Sequence, residues 1–593
     1  MQTHRVHGAS LDGTGALVVT VEARFVASKD AETTDISLTG LPDPVLRESR
    51  GRLLCILGAT GLGLRAGRLY LHLVPAARRK SGEALDLALV VAAGVAGKHL
   101  TQRQADGWLF LGEVGIDGQL HAVPGGLACA VAARACGLKR VMAPPETAAE
   151  AAALLDMDAY AVSTMAEVLA TLTAGRAPMA GPTLGTEDRL DGGDPEGGGA
   201  RRSPIPACRP ATALPPPTAG EDSGAIPASL DEVRGQAEAK LALQVAAAGG
   251  HGILMVGPPG AGKSMLAKRL IDLLPPMDLA ERIEVTTILS AAGRWPRGLA
   301  SRRPFRAPHH TTSFAGLIGG GSPIAPGEIT LAHGGVLFLD ELPEFSRDAL
   351  EGLRQPLEEG VVHLARASHH RSLPAAFQLV AAMNPCPCGY AGHPRIPCHC
   401  APSTVRRYLG RISGPLLDRI DIRIALQPAP AAVLMGGEGG ERWRSHAAAN
   451  PAVKAPPVKI QPVETDSIAA EGKPRPSMSA SDLNLSGRHL ARCVRAARAF
   501  ACRRREQNGQ PNAALPPSAL DEVAPLTGEA RELMHRAIQR EHLSARAIQS
   551  LRRTARTVAD LAQEDTISVS SVATAMALRS HGIGAHGLCP GLP

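Results

Sequence analysis

The stretch ILMVGPPGAGKS, residues 253–264, constrains the fold of this chain more than any other. ILMV predicts a buried strand and the following MLAKRLIDLL predicts a helix, so the loop between them matches the GxxxxGK[ST] phosphate-binding pattern in its required setting. Glycines let backbone NH groups converge on phosphate oxygens at a helix N-terminus. The sequence therefore predicts an α/β nucleotide-binding domain, with Lys263 on the β and γ oxygens and Ser264 on Mg²⁺. The predicted loop contacts are Gly257, Pro258, Pro259, Gly260, Ala261, Gly262, Lys263 and Ser264.

A second apolar strand, in GGVLFLDELPEF, ends in Asp340 and Glu341. An acidic pair after a strand is common and by itself indicates no function. Here it follows a phosphate-binding loop, and the two together indicate a nucleotide-binding site. We expect Asp340 to hold Mg²⁺ and Glu341 to polarise the attacking water, which makes this pair a Walker B site.

A third apolar strand, FQLVAAMN, ends in Asn384. In ATPases with an additional central strand, a polar residue at this place helps to position the water and is called sensor 1. Asparagine at the end of a strand is otherwise often a turn residue. We predict that Asn384 is sensor 1.

The segment SGPLLDRIDIRI places Arg419 after a short helix. A guanidinium supplied by a neighbouring subunit would stabilise charge on the γ-phosphate in the transition state, so we predict that Arg419 is an arginine finger acting in trans. Two alternatives remain. Arg419 could form a surface ion pair with Asp418 or Asp421, and other arginines nearby could take the finger's role: Arg406, Arg407 and Arg411.

A chain of 593 residues is too long for one hydrophobic core. Its 63 glycines and 48 prolines predict long linkers beside folded segments. Residues 1–174 combine alternating strands with a buried helix at DLALVVAAGVAG and a hairpin at DGQLHAVPGG. We expect a flexible linker at 175–226, the ATPase core at 227–427, a low-complexity linker at 428–479 and a helical domain at 480–585.

Cysteine usage and hydropathy predict a soluble cytoplasmic protein that does not contact a membrane. Eleven cysteines is an odd number, and MQTHRVHGAS contains no apolar leader, so a secreted disulfide scaffold is not expected. The longest apolar run, LVVAAGVAG, is shorter than a bilayer span. A net charge of +7 suits a polyanionic partner, although a charge of this size often serves only solvation.

Four of the cysteines lie within CPCGYAGHPRIPCHC, residues 386–400. Cys386, Cys388, Cys398 and Cys400 could close a tetrahedral structural Zn²⁺ site, with His393 or His399 replacing a cysteine. The CxC spacing differs from the common CxxC pairs, so four unligated thiols are the alternative. A closed site leaves no open position for catalysis, and we therefore predict a structural staple between Asn384 and Arg419.

Several blocks of the sequence together resemble the YifB/ComM family, in the magnesium-chelatase-like branch of the AAA+ ATPases. They include DEVRGQAEAKLALQVAAAGGHGILMVGPPGAGKSMLAKRL, FRAPHHTTSFAGLIGGGSPIAPGEITLAHGGVLFLDELPEF, LPAAFQLVAAMNPCPCGY and LSARAIQSLRRTARTVADL, with LGEVGIDGQLHAVPGG in the front domain. The resemblance implies an N-terminal α+β domain with a Lon-protease-like fold (ribosomal S5 domain 2-like), a P-loop AAA+ core and a C-terminal helical lid. It also implies an insertion at 306–331 that points into a ring's pore, a hairpin at 360–367, and Arg546 as sensor 2; Arg546 could equally be a solvated helix charge.

The same resemblance implies an ATP- and Mg²⁺-dependent helicase that assembles as a homo-oligomer, expected to be a hexamer, and drives branch migration during natural transformation. Its partner would be DNA, single-stranded and branched, bound without sequence preference. The arginine-rich stretches 293–306 and 503–505 suit phosphate contacts, although each is equally well explained as a solvated face.

Two other functions are possible for the same blocks. A magnesium chelatase motor subunit shares the ATPase motifs, but such subunits as a class lack the front domain and the cysteine cluster. A Lon-type protease needs a serine activated by a lysine. Ala84 stands where that serine is expected, and Ser81 beside Lys80 is poorly arranged for activation, so we expect a non-proteolytic module.

Overall fold

The computed structural model describes residues 3–28, 33–40, 44–76, 80, 83–174, 209–210, 230–321, 325–366, 369–393, 395–429, 486–504 and 510–579. The described residues fall into two compact units. One lies within Met1–Asp222, Arg282–Ala300 and Pro323–Ala325, and the other within Ser223–Glu281, Ser301–Ser322 and Pro326–Pro593. The predicted linkers 175–226 and 428–479 lie outside the described residues, apart from 209–210 and 428–429.

The first unit is built on an eight-stranded mixed sheet. Its strands and one small hairpin are β1 (His4–Asp12), β2 (Gly15–Ala27), β3 (Thr34–Thr39), β4 (Gly67–Val74), β5 (Trp108–Phe110), β6 (Glu113–Val114), β7 (Leu120–His121), β8 (Arg140–Ala143), β9 (Asp158–Ala161) and β10 (Arg209–Pro210). The sheet order is β10-β9-β8-β5-β1-β2-β4-β3, and β6 pairs with β7 in a hairpin. Only the second strand of this hairpin lies in the predicted stretch DGQLHAVPGG, because its first strand precedes that stretch. The helices are Pro44–Ala59, Asp86–Ala96, Gln102–Ala105, Gly126–Ala135, Pro145–Ala151 and Met165–Thr173.

Helix Asp86–Ala96 is buried along its whole length, as the run DLALVVAAGVAG predicts. It packs against β1, β2 and β4, where alternate residues of β2, such as Val19 and Val21, are fully buried. A helix that is apolar on all sides lowers its free energy only by being enclosed, so this helix forms the centre of the unit's core.

A segment from the middle of the chain, Arg282–Ala300, belongs to this first unit. Ser290 Oγ lies 2.6 Å from Glu150 Oε2, and both side chains are buried. Ile283 and Leu299 pack against the alanine- and leucine-rich core formed by helices Gly126–Ala135 and Pro145–Ala151. Burial raises the pKa of Glu150. The first unit therefore obtains part of its core from sequence that lies between the phosphate loop and the Walker B strand.

The second unit contains a five-stranded parallel sheet with the order β12-β15-β18-β11-β19. The strands of this part of the chain are β11 (Ile253–Val256), β12 (Phe305–Arg306), β13 (Gly319–Gly320), β14 (Ala325–Pro326), β15 (Val336–Leu339), β16 (Val361–Arg366), β17 (His369–Pro374), β18 (Gln378–Met383) and β19 (Ile422–Ala425), of which Ala325 in β14 is assigned to the first unit. Strands β11, β15 and β18 are buried at every position, because both faces of a parallel sheet are covered. The antiparallel pair β16–β17 is the predicted hairpin before Asn384.

The helices of this part of the chain surround the sheet. They are Ala237–Gly249, Lys263–Arg269, Phe314–Ile318, Glu328–Leu331, Arg347–Gly352, Arg354–Glu359, Pro402–Leu409 and Gly414–Leu417. A further helix, Leu279–Ala291, begins in this unit and belongs to the first unit from Arg282 onward. Because the strands are parallel, the ends of β11, β15 and β18 reach one edge of the sheet, where ligands of open α/β sheets bind. The fold thus brings the three predicted motifs to a common edge.

The C-terminal part of the second unit is helical, with helices Gly487–Arg504, Leu520–Val523, Gly528–Glu541, Ala545–Leu561 and Val569–Ala577. The mixed α/β fold with a parallel sheet and a helical C-terminal region is therefore confirmed. No helix among the described residues is both long enough and apolar enough to cross a bilayer.

A buried polar network joins helix Ala545–Leu561 to the sheet. His251 Nδ1 lies 2.8 Å from Asp421 Oδ2, and His251 Nε2 lies 2.7 Å from Thr557 Oγ1. Ser550 Oγ donates a hydrogen bond to Asp421, and Asn512 donates to Thr557 at 2.9 Å. Hydrogen-bonded networks of this kind specify one arrangement of the elements they join. This one sets the position of the helix that carries Arg546.

Candidate functional site

The phosphate loop has the backbone that its glycines allow. Gly260 and Gly262 have φ of 77° and 88°, in the left-handed region that other residues avoid, and Gly262 is the residue before helix Lys263–Arg269. Lys263 Nζ donates to the carbonyls of Gly257 at 2.6 Å and Pro258 at 3.0 Å, and to Asn384 Oδ1 at 2.9 Å. Burial lowers the pKa of Lys263, although the charges of Asp340 and Glu341 oppose that shift. The ammonium is held over the loop by acceptors that phosphate oxygens could replace.

The predicted Mg²⁺ residues are in direct contact. Ser264 Oγ donates to Asp340 Oδ2 at 2.7 Å, and Asp340 Oδ1 accepts the NH of Glu341 at 3.0 Å. A hydroxyl and a carboxylate are hard oxygen ligands of the type that Mg²⁺ prefers. The residues present therefore fit this ion. Lys263, Ser264, Asp340 and Asn384 form one connected group, although they come from three separate strand ends.

Glu341 occupies an unusual backbone position beside this group. Its φ is 52°, in the left-handed region, and about half of its side-chain surface is exposed. His310 Nδ1 lies 3.2 Å from Glu341 Oε2, and the His310 ring packs on that of His309 at a centroid distance of 4.1 Å. Sequence reasoning did not single out His310, although it lies in the quoted block FRAPHHTTS. The contact depends on chain folding that brings the start of that block to the end of β15.

Arg419 and Arg546 converge on a residue that the sequence did not reveal, Glu358 at the end of helix Arg354–Glu359. Arg419 Nη2 lies 2.8 Å from Glu358 Oε1, and Arg546 Nη2 contacts the same oxygen. Arg419 Nη1 also donates to the carbonyl of Pro415 at 2.6 Å, and its side chain is only 8% exposed. Burial lowers the pKa of Arg419. Within one chain the two guanidinium groups are held together by one carboxylate.

The acidic partners of Arg419 and of the nearby Arg411 are different residues. Its ion-pair partner is Glu358, whereas Asp421 hydrogen-bonds His251 and Ser550 inside the polar network. The hypothesis of an ion pair between Arg419 and Asp421 is therefore wrong. Arg411, one of the competing arginines, pairs with Glu344 at 2.7 Å.

Two arginines of the stretch 293–306 serve the protein's own packing. Arg303 forms paired contacts with Glu281 at 2.9–3.2 Å and donates to the carbonyl of Gly334 at 2.7 Å. Arg306 reaches Glu328 through Nε at 2.6 Å and Nη2 at 2.8 Å. Bidentate pairs of this kind occupy the guanidinium donors that a nucleic acid phosphate would need. In the second stretch Arg504 is tied to Asp560, and residue 505 lies outside the described residues.

The four cysteines of residues 386–400 come together. Their sulfur atoms all lie within 4.8 Å of one another, and three pairs are closer: Cys386 to Cys388 at 3.3 Å, Cys386 to Cys398 at 3.6 Å, and Cys388 to Cys398 at 3.5 Å. Neither His393 nor His399 belongs to this group. His393 Nδ1 instead accepts backbone NH groups of residues 395 and 396 at 3.1 and 2.9 Å.

The protease-like features of the first unit do not form a catalytic pair in the described residues. Lys80 is fully buried, and its Nζ donates to the carbonyls of Gly40 at 2.8 Å, Leu73 at 3.2 Å and Pro75. Burial lowers the pKa of Lys80. An ammonium whose three protons are all donated to carbonyls is a structural group. Ala84 is buried, and Ser81 lies outside the described residues.

Comparison with known proteins agrees with these features. The family model described as "Magnesium chelatase, subunit ChlI" matches residues 229–434, its C-terminal counterpart matches 484–579, and "Subunit ChlI of Mg-chelatase" matches 26–147. Competence protein ComM of Haemophilus influenzae is 36% identical over 445 residues, which cover 74% of this chain and 79% of ComM. YifB of Escherichia coli is 33% identical over 437 residues, 72% of this chain and 77% of YifB. An uncharacterized protein of Mycobacterium tuberculosis is 36% identical over 466 residues, 75% of this chain and 84% of that protein.

Proposed function

Because this chain belongs to the YifB/ComM family of magnesium-chelatase-like AAA+ ATPases, we propose that it is an ATP-hydrolysing ring motor that drives branch migration of DNA. The observation that carries the proposal is the connected group at the sheet edge, in which Lys263 contacts Asn384 while Ser264 contacts Asp340. A lysine, a hydroxyl, a carboxylate and an amide placed around a glycine-rich loop are the parts that phosphoryl transfer from ATP requires.

The residues divide the work of hydrolysis among them. Lys263 exchanges its contacts with Gly257 and Asn384 for oxygens of the β- and γ-phosphates. Ser264 and Asp340 would hold Mg²⁺, which would supply positive charge to neutralise the phosphates. Asn384, once released by Lys263, is free to position the attacking water, and Glu341 takes up that water's proton. Glu341 Oε2 lies 3.2 Å from His310 Nδ1, so that contact has to open if this oxygen is the one that accepts the proton.

Arg419 and Arg546 supply positive charge from outside this group. We propose that Arg419 acts on the nucleotide of a neighbouring subunit and that Arg546 acts as sensor 2. In the single chain both are held by Glu358, which supports a site completed only on assembly. A homo-oligomeric ring, expected to be a hexamer, gives each finger a partner site.

A mixing experiment tests the action in trans. Arg419→Ala and Lys263→Ala chains are each expected to hydrolyse ATP poorly when alone. Mixed rings contain interfaces that join an intact Lys263 to an intact Arg419, so mixing should restore hydrolysis. Failure of the mixture to exceed both parents, while rings form normally, would contradict the trans assignment.

The assignment to DNA rests on the family resemblance and on the competence name of one relative. ATP hydrolysis should be stimulated by single-stranded and branched DNA of any sequence, and the stimulation should fall as salt rises. Unwinding is measured with forked, three-stranded and four-way junction substrates. If DNA does not stimulate ATP hydrolysis and none of these substrates is unwound, the proposal of a helicase is refuted.

The descriptions of the matching family models favour a second candidate, a motor subunit of a magnesium chelatase. The two candidates are distinguished by what stimulates hydrolysis. A chelatase motor responds to partner chelatase subunits and porphyrin, whereas a helicase responds to DNA. The buried and fully hydrogen-bonded Lys80 argues against a proteolytic role for the first unit.

A further inference from the structure

We propose that Cys386, Cys388, Cys398 and Cys400 bind one Zn²⁺ and that the metal-bound loop supports the phosphate-binding loop, so that metal occupancy and nucleotide affinity depend on each other. The coupling rests on the proposed ATP binding. The metal site itself does not.

The sulfur positions suit a tetrahedral thiolate site. With zinc–sulfur bonds of about 2.3 Å, the sulfurs of a tetrahedral site lie about 3.8 Å apart. Three measured separations are 3.3–3.6 Å and all pairs are within 4.8 Å, so only small shifts of the side chains would be needed. Soft thiolates select Zn²⁺ over Mg²⁺, so the two metals do not compete for this place.

The cysteine loop is built as a site with backbone support. The NH of Ala391 donates to Cys386 Sγ at 3.3 Å, and the NH of Cys400 donates to Cys398 Sγ at 3.4 Å. Such bonds orient and stabilise thiolate ligands. Cys386 is fully buried and packs with Ala391 and Val405, which ties the loop to helix Pro402–Leu409.

The link to nucleotide binding is a direct contact between the two loops. Gly389 lies inside the cysteine loop with φ of 86°, and a Cβ added there would stand 2.7 Å from Pro259 Cδ and 3.9 Å from Asn384 Cγ. Pro259 is part of the phosphate loop, and Asn384 accepts a hydrogen bond from Lys263. The cysteine loop therefore packs against the phosphate loop and the sensor residue at the same point.

Loss of the metal should act through this contact. Without the metal, the four thiols are joined only by van der Waals contacts, and these do not fix the loop between Cys388 and Cys398. Gly389 then no longer holds Pro259 in place. ATP affinity should fall by about tenfold, within the usual range of coupling between two sites. Linkage requires the reciprocal effect, so saturating ATP should tighten Zn²⁺ binding by the same factor.

The test measures zinc content, ATP binding and folding in the full chain. Zinc is measured by mass spectrometry of the purified protein and ATP affinity with a fluorescent analogue. The wild-type chain should carry about one Zn²⁺, the number a four-ligand site holds. The variant Cys388→Ser/Cys398→Ser should lose the metal and bind ATP about tenfold more weakly. Cys502→Ser, at an exposed cysteine outside the cluster, is the control and should match wild type.

A second variant separates the contact from the metal. Gly389→Ala keeps all four thiols but adds the Cβ that clashes with Pro259, so it should retain zinc and still bind ATP more weakly. Gly137→Ala introduces alanine at a similar positive φ of 81° with open space around it, and it should leave both zinc content and ATP affinity unchanged.

The outcomes distinguish the possible errors. A native chain that contains no zinc and does not bind added Zn²⁺ would overturn the metal site. If the variant that lost zinc binds ATP as tightly as wild type, the coupling is wrong. Unchanged ATP affinity in Gly389→Ala would also overturn the coupling. A zinc-loaded chain that binds no ATP at all would instead refute the proposed ATPase.

Discussion

Replacing Glu358 by glutamine should loosen two arginines at once, because Glu358 Oε1 is the shared partner of Arg419 and Arg546. Glutamine keeps the shape and one oxygen acceptor but removes the negative charge. Hydrogen bonds to charged groups contribute about 1.5–3 kcal/mol. The guanidinium groups stay charged in the variant, so each contact keeps a weaker hydrogen bond and should lose about 1 kcal/mol. Because Glu358 and Arg546 are 37% and 43% exposed, solvent screens their pair. The expected loss of unfolding free energy is therefore about 1–1.5 kcal/mol.

Urea denaturation of the nucleotide-free chain measures this loss, and a double-mutant cycle with Arg419→Ala assigns it. The cycle should yield a coupling of about 1 kcal/mol between Glu358 and Arg419. Amide hydrogen exchange in helix Ala545–Leu561 reports the same change locally if the two units unfold in separate steps. Glu359→Gln is the matched control, because Glu359 contacts exposed His363 and Gln355 instead. Additivity of Glu358→Gln and Arg419→Ala to within about 0.3 kcal/mol would refute the shared-partner account.

The remaining predictions concern the buried groups of both units. Burial alone would raise the pKa of Asp421, but hydrogen bonds from His251 and Ser550 lower it overall, so its stabilising contribution is complete at neutral pH and is lost as pH falls through that lowered pKa. Asp421→Asn should destabilise the second unit by about 3 kcal/mol at pH 7 and flatten its acid unfolding curve; an unchanged curve would contradict the network's role. Lys80→Ala should destabilise the first unit by about 3 kcal/mol, since three carbonyls lose their donor. A stable variant with full hydrogen-exchange protection would contradict the structural role of this ammonium. Ser81→Ala should leave ATP hydrolysis and unwinding intact, and loss of unwinding in a stable Ser81→Ala chain would return a catalytic role to the first unit.

The local motifs predicted the centre of the site because each is contained in a short stretch. A strand, a glycine loop and a lysine at fixed spacing define the phosphate loop, and parallel strands must bring Asp340 and Asn384 to the same edge. Their roles in catalysis stay predictions, but the structure does join them through Lys263 and Ser264.

Contacts between distant parts of the chain could not be predicted from the sequence. Glu358 lies in the last turn of an unremarkable helix, and nothing near it in the sequence indicates that the distant Arg546 contacts its carboxylate. Arg303 and Arg306 look like a basic patch in the sequence, yet acidic residues 22 positions away in each case neutralise them. The CxC spacing left the cysteines ambiguous until the fold placed all four sulfurs together and set Gly389 against Pro259.

Nucleotide binding and hydrolysis by Glu341→Gln beside Lys263→Ala test the central claim most directly. In the account above, Glu341 acts on the water and not on the phosphates, so Glu341→Gln should bind ATP with near wild-type affinity and reduce hydrolysis by at least about a hundredfold. Lys263→Ala should lose both ATP binding and hydrolysis. Hydrolysis at the wild-type rate by either folded variant would contradict the assignment of this site as the motor's active site.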